Sequence, residues 1–141
     1  LAVVSCQLSV GAAWGSWRRI LGLLRFEDLE VWKRSARLSV ELYKAMSGLR
    51  DFGFRDQITR SGLSVPSNIA EGLERRPNKD RQRYIDIALG SCGELRTQIY
   101  IGIEIGYIQR QEGASWIAET REISAMLVGL RNNLAKLKTE N

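Results

Sequence analysis

Five cations, Arg75, Arg76, Lys79, Arg81 and Arg83, fall within nine residues, and Asp80 is the only acid among them. Such a cluster neutralises phosphates and releases their counterions, giving affinity that depends on salt and is largely blind to base sequence. It equally suits a solvated helix entry, with Glu71 and Glu74 near enough in sequence to pair with part of it. Catalytic chemistry has less material. The chain has no histidine, so neither the Glu-x-x-His ligands of di-iron bundles nor a His-dependent triad can form. Glu71, Asp86, Glu94 and Glu104 are the carboxylates that could meet around magnesium, but solvated or salt-bridged roles are expected for all four. No glycine-rich phosphate loop of Walker spacing occurs. The residues name no catalytic group, no metal site and no cofactor.

The chain's 141 residues suit one domain with a sizeable core. Its hydrophobic content of 44% and charged content of 26% exclude global disorder. Cys6 and Cys92 have neither disulfide-framework nor zinc-site spacing, so Cys92 is expected to be a small buried hydrophobe and the setting cytoplasmic. The net charge of +5 is unevenly placed. Arg18, Arg19 and Arg25 lie in an opening stretch without acids, and the remainder carries only +2. Residues 1–25 show no sustained helical stripe, and their arginines follow the apolar stretch where a secretory signal would place them before it. That stretch is also too short and polar to span a membrane. A disordered or adventitious extension is expected there, and a bundle domain over residues 26–141.

The elements that must hold the basic cluster are helical. Leu29, Trp32, Ala36, Ser39, Tyr43 and Met46 recur at three- and four-residue spacing, which predicts a first helix over residues 28–47. Phe54, Ile58, Gly62, Val65 and Ile69 mark a second, which ends near Arg75 before Pro77. Pro66 inside it removes one backbone hydrogen bond and presses on the carbonyl four residues earlier, a cost of roughly 3 kcal/mol unless compensated. That earlier residue is Gly62, and Ser64, Ser67 and Asn68 can bond freed backbone groups. Glu71 faces Arg75 in the favourable acid-first order. A bend at Pro66 is therefore expected, built from Gly62, Pro66, Asn68 and Glu71.

The third helix is predicted from Asn78, as its cap, to Gly106, with Tyr84, Ala88, Cys92, Leu95, Ile99 and Gly102 inward. A fourth, over residues 111–138, repeats Trp116, Thr120, Ile123, Leu127, Leu130, Leu134 and Leu137 without a slip. Four amphipathic helices with short connections predict an all-α, antiparallel up-down four-helix bundle. Trp32, Tyr43, Tyr84 and Trp116 fall on the inferred core stripes, which makes them poor partners for base stacking. The third helix has more apolar surface than one bundle can bury. Ile85, Ile87, Leu89, Tyr100, Ile101, Ile103 and Ile105 supplement its core stripe, and the surplus predicts contact with other copies of the chain. Ile85, Leu89, Ile101 and Ile105 are the candidates for that contact.

The segment from Phe26 to Trp32, the run from Ser64 to Gly72, Arg75-Arg76, Ala88-Leu89-Gly90-Ser91 with Glu94-Leu95, Thr97-Gln98 and Gly106-Tyr107 occur in an order and spacing that resemble the bacterial four-helix-bundle family named for proteins encoded in intervening sequences of 23S ribosomal RNA genes. The resemblance covers residues 26–141. It implies a ring-shaped homo-oligomer, a pentamer, and no established enzyme activity. The extension before Phe26 has no counterpart, and Gln109 stands where a better-capping Ser or Thr is common. The expectation is a non-enzymatic oligomeric module without a membrane role, contacting RNA, DNA or an acidic protein through Arg75, Arg76, Lys79, Arg81 and Arg83. The alternative is a protein-interaction scaffold that binds no nucleic acid.

Overall fold

A computed structural model describes residues 25–137. Cys6 and the expected extension, apart from Arg25, lie outside them. A 3-10 turn over Phe26–Asp28 leads into four helices: α1 (Glu30–Met46), α2 (Phe52–Glu74), α3 (Asn78–Glu104) and α4 (Arg110–Lys136). No strand occurs among the described residues.

Local chemistry sets several helix ends. Asp51 caps α2, its Oδ1 accepting from the Phe54 N–H at 3.1 Å. Its other oxygen accepts from the Tyr107 hydroxyl at 2.9 Å, and the Phe54 and Tyr107 rings meet edge to face at 5.3 Å. This clasp ties the start of α2 to the loop after α3. Gly106 ends α3 in the left-handed region at φ 83°, as its sequence position predicts. The Tyr107 N–H donates to the Gly102 carbonyl and the Gly106 N–H to that of Ile103, the paired bonds of a Schellman ending. α4 starts after Gln109 with no side-chain cap, while α3 starts after Pro77, so Asn78 is the first helical residue rather than the predicted cap.

Small residues bring the helices together. A Cβ on Gly62 of α2 would fall 2.6 Å from Leu42 Cδ1 of α1. One on Gly72 would lie 2.8 Å from Tyr84 Cβ of α3, and one on Gly102 of α3 would lie 3.0 Å from Phe54 Cζ of α2. Midway, the Ser64 and Ser91 hydroxyls share a 2.8 Å hydrogen bond between α2 and α3. α2 continues across Pro66, which is buried. Asn68 Nδ2 donates to the Ser64 carbonyl at 2.8 Å, supplying a side-chain bond in the turn where proline lacks an N–H.

The core takes Ile58, Val65 and Ile69 from α2, Ala88, Cys92, Leu95 and Ile99 from α3, and Trp116, Ile123, Leu127 and Leu134 from α4, as their spacing predicts. Burial pushes the Cys92 thiol up from its ordinary pKa. The inward face of α1 differs from expectation. Ser39 and Met46 are buried as expected, but Val31, Ser35, Leu38 and Leu42 complete the inward face, whereas Trp32 and Ala36 are half-buried and Tyr43 is 47% exposed. α1 carries two neighbouring apolar columns, and periodicity alone does not choose between them. Arg34 joins α1 to α4, donating to both Glu119 oxygens at 2.7 Å and to Glu122. Trp116 Nε1 donates to Glu41 nearby at 3.2 Å.

Gly62→Val is expected to destabilise the fold by roughly 1–3 kcal/mol through overpacking against Leu42. Gly129→Ala, where the added carbon meets open space, is expected to stabilise it by about 0.5–1 kcal/mol. Thermal melts followed by circular dichroism check both. The hydrogen bonds from Phe54 N–H and Tyr107 hold the Asp51 carboxyl below its ordinary pKa, and the Arg34 hydrogen bond does the same for Glu119. The unfolded chain then takes up protons more readily than the native one. Their stabilisation is full above the ordinary values of 3.8 and 4.5 and is lost as pH falls through the lower native values. Urea midpoints are expected to fall on acidification, and to fall less steeply in Asp51→Asn with Glu119→Gln.

Candidate nucleic-acid interface

The connection between α2 and α3 is short because two residues stop one helix and start the next. Arg75 leaves α2 in an extended conformation, its N–H donating to the Gly72 carbonyl at 3.2 Å. Pro77 then fixes the entry to α3, and its carbonyl accepts from the Asp80 and Arg81 N–H groups at 3.1 Å. Asp80 in the first turn of α3 complements the positive end of the helix.

The five cations separate into two groups. Arg75 Nε donates to Glu71 at 3.1 Å and its guanidinium lies 5.3 Å from the Tyr84 ring centre. Glu71, ahead of the ring and its own charge, raises the Arg75 pKa. Arg81 Nε donates to the Arg75 carbonyl at 2.6 Å, satisfying a group that the end of α2 leaves free. Arg75 and Arg81 thus hold the corner. Arg76, Lys79 and Arg83 are exposed and make no ion pair or side-chain hydrogen bond among the described residues. Lys79 and Arg83 are one turn apart on the same side of α3.

Sequence proximity could not reveal what α4 brings to this end. Arg131 pairs with Asp86, so α4 runs back beside the first turns of α3 and returns the exposed Lys136 of its last turn there. A basic residue late in a helix antiparallel to α3 was the available signal. The other carboxylates do not converge. Glu71 pairs with Arg75, Asp86 with Arg131, and Glu104 approaches Arg110 at 4.0 Å, while Glu94 has no partner among the described residues. No group of three potential metal ligands is found among the described residues.

A family model described as 23S rRNA-intervening sequence protein matches residues 27–129. The chain belongs to the 23S rRNA-intervening sequence protein family. A crystal structure of a protein with unknown function from the S23 ribosomal protein family of Bacteroides thetaiotaomicron is similar at 27% identity and a TM-score of 0.68, covering 72% of this chain and 97% of that one. No curated protein matches the chain.

In this member of the 23S rRNA-intervening sequence protein family, the apolar candidates on α3 also divide. Ile101 and Ile105 are 49% and 52% exposed. Leu89 is half-buried against the core. Ile85 is corrected: at 0% exposed it is covered by the subunit's own helices and has no surface to offer another chain. Of the proline set, Gly62 and Pro66 face inward and Asn68 is half-buried, whereas Glu71 is at the surface. No described helix is long and apolar enough to cross a membrane.

Arg81→Ala is expected to lower thermal stability by about 1 kcal/mol, since it leaves the Arg75 carbonyl without its partner. Arg76→Ala and Lys79→Ala are expected to stay within about 0.5 kcal/mol of the parent. Chemical denaturation of the three variants checks the division of the cluster.

Proposed function

We propose that the protein is a non-enzymatic, homo-oligomeric bundle module that contacts RNA or DNA through the corner between α2 and α3. One observation carries it: Arg76, Lys79 and Arg83 project from a corner that Arg75 and Arg81 hold in place, with no ion-pair partner among the described residues. Cations with no carboxylate to release are the ones that gain from a phosphate. The family's 23S rRNA name is consistent with a ribonucleic acid partner. A ring of copies, five on the family resemblance, would repeat the corner around a rim, and several weak contacts would act together. In this reading α2 bends at Pro66 to shape the subunit for the ring, and the module works in the cytoplasm.

The competing reading is a protein-interaction scaffold whose cations serve solubility. It is favoured by the exposed apolar surface of α3 and of the groove between α1 and α2.

Titration of labelled RNA and DNA at several salt concentrations separates them. Changing Arg76, Lys79 and Arg83 together to Glu is expected to weaken binding and lower the salt slope by roughly 2–3, about one unit for each phosphate no longer neutralised. Helicity and particle mass should be unchanged. Equal affinity and slope in parent and triple variant would overturn the assignment, and a partner recovered equally before and after nuclease treatment would favour the scaffold.

A further inference from the structure

Among the described residues two apolar surfaces are left uncovered, and they match in height. The first is a groove of about 610 Å³ between α1 and α2, with Trp32, Val40, Tyr43, Leu63 and Pro66 along it and Lys44 at its edge. Phe52, 60% exposed, lies eleven residues before Leu63 on α2 and so extends the same side by three turns. The second is a ridge on α3. Ser91 is bonded to α2, and Arg96, Tyr100 and Asp86 are bonded to α4. Ile87, Glu94 and Ile101, spaced by seven, and Ile105 next to them therefore stand on the side of α3 toward α2. All four are exposed.

The helix contacts fix the heights. Residue 64 of α2 lies beside 91 of α3, 54 beside 102, and 62 beside 39 and 42 of α1. Ile87 then stands level with the end of the groove at Pro66, Leu63 stands level with the middle of the ridge, and Phe52 falls between Ile101 and Ile105. Lys44 and Glu94 differ by about three residues, roughly 4.5 Å of helix rise, which a lysine side chain spans. Glu94 is the ridge's one carboxylate, and neither it nor Lys44 has a side-chain partner among the described residues.

We infer that the ridge of one copy lies along the groove of the next, with Ile87 covered by Trp32 and Leu63, Ile101 and Ile105 covered by Phe52, and Glu94 paired to Lys44. The occupant is a second copy because it supplies apolar length and opposite charge at the matching heights without sliding along the bundle axis. Groove and ridge lie on neighbouring sides of the four-helix square, so each added copy turns about that axis. A heterologous contact that turns without advancing closes into a ring rather than a filament. This rests on the homo-oligomeric reading above and names the surfaces it uses.

Light scattering on the full chain over a concentration series tests it, with circular dichroism as a control for folding. Lys44→Glu and Glu94→Lys are each expected to raise the concentration at which assembly is half complete by roughly three- to tenfold, and the double exchange to restore it. Leu63→Asp, which places a charge in the groove, is expected to raise it by at least about a hundredfold. An assembled parent whose mass none of these variants changes would overturn the interface while leaving the homo-oligomer standing. So would loss of assembly in Ile101→Asp alone, since the groove would then hold something else, such as the chain's own first residues or another protein. A parent that remains a single chain would instead remove the oligomeric reading itself.

Discussion

The close approach of α2 to α3 is the contact on which the remaining geometry depends. Gly72 lets α2 rest on Tyr84, the Ser64–Ser91 bond fixes the middle, and Gly102 admits Phe54 at the far end. Small residues meeting along one line leave little freedom in register, because a shift by one residue would set side chains where only hydrogen now fits. The same register brings Tyr84 under Arg75 and places Arg81 against the carbonyl that follows α2. The shape of the basic corner is therefore a consequence of helix packing and does not depend on the loop alone.

Charge is sorted by the same packing. Arg34 is engaged by Glu119 and Glu122, Arg131 by Asp86 and Arg75 by Glu71, each tying neighbouring turns or helices together. Arg96 is half-buried between α3 and α4, where Thr120 and Ser124 oxygens accept its hydrogen bonds. After these pairings, three cations of the corner still face solvent. A modest net charge can thus coexist with a locally unbalanced surface, and counterion release responds to the local arrangement.

Much of the bundle was legible in the residues. In α2 and α4 one apolar column dominates, and in α3 the expected stripe from Ala88 onward is buried despite the apolar surplus around it, while Gly106 named its own backbone conformation. In α1 spacing points correctly to Ser39 and Met46 but not to Tyr43, because Trp32, Ala36 and Tyr43 are as periodic as Val31, Leu38 and Leu42. Only the position of α2 shows which set is covered. Ile85 was misassigned for a related reason: an apolar excess counts residues without saying which neighbour covers each. The basic cluster was visible as composition, but the separation of Arg75 and Arg81 from Arg76, Lys79 and Arg83 needs Tyr84 and the Arg75 carbonyl in space. The place of Lys136 follows from the antiparallel return of α4, so it is legible only once the bundle topology, and not the local run of cations, is read.

The proposed ring would join the apolar edges and repeat the basic corner around a rim, and that proposal stands on self-association. The most direct measurement is the native mass of the purified full chain after nuclease treatment, across a wide range of protein concentration. The account predicts a discrete closed multiple of the 15.9 kDa chain that persists on dilution into the micromolar range. A 15.9 kDa species at every concentration, with the helices intact, would contradict it.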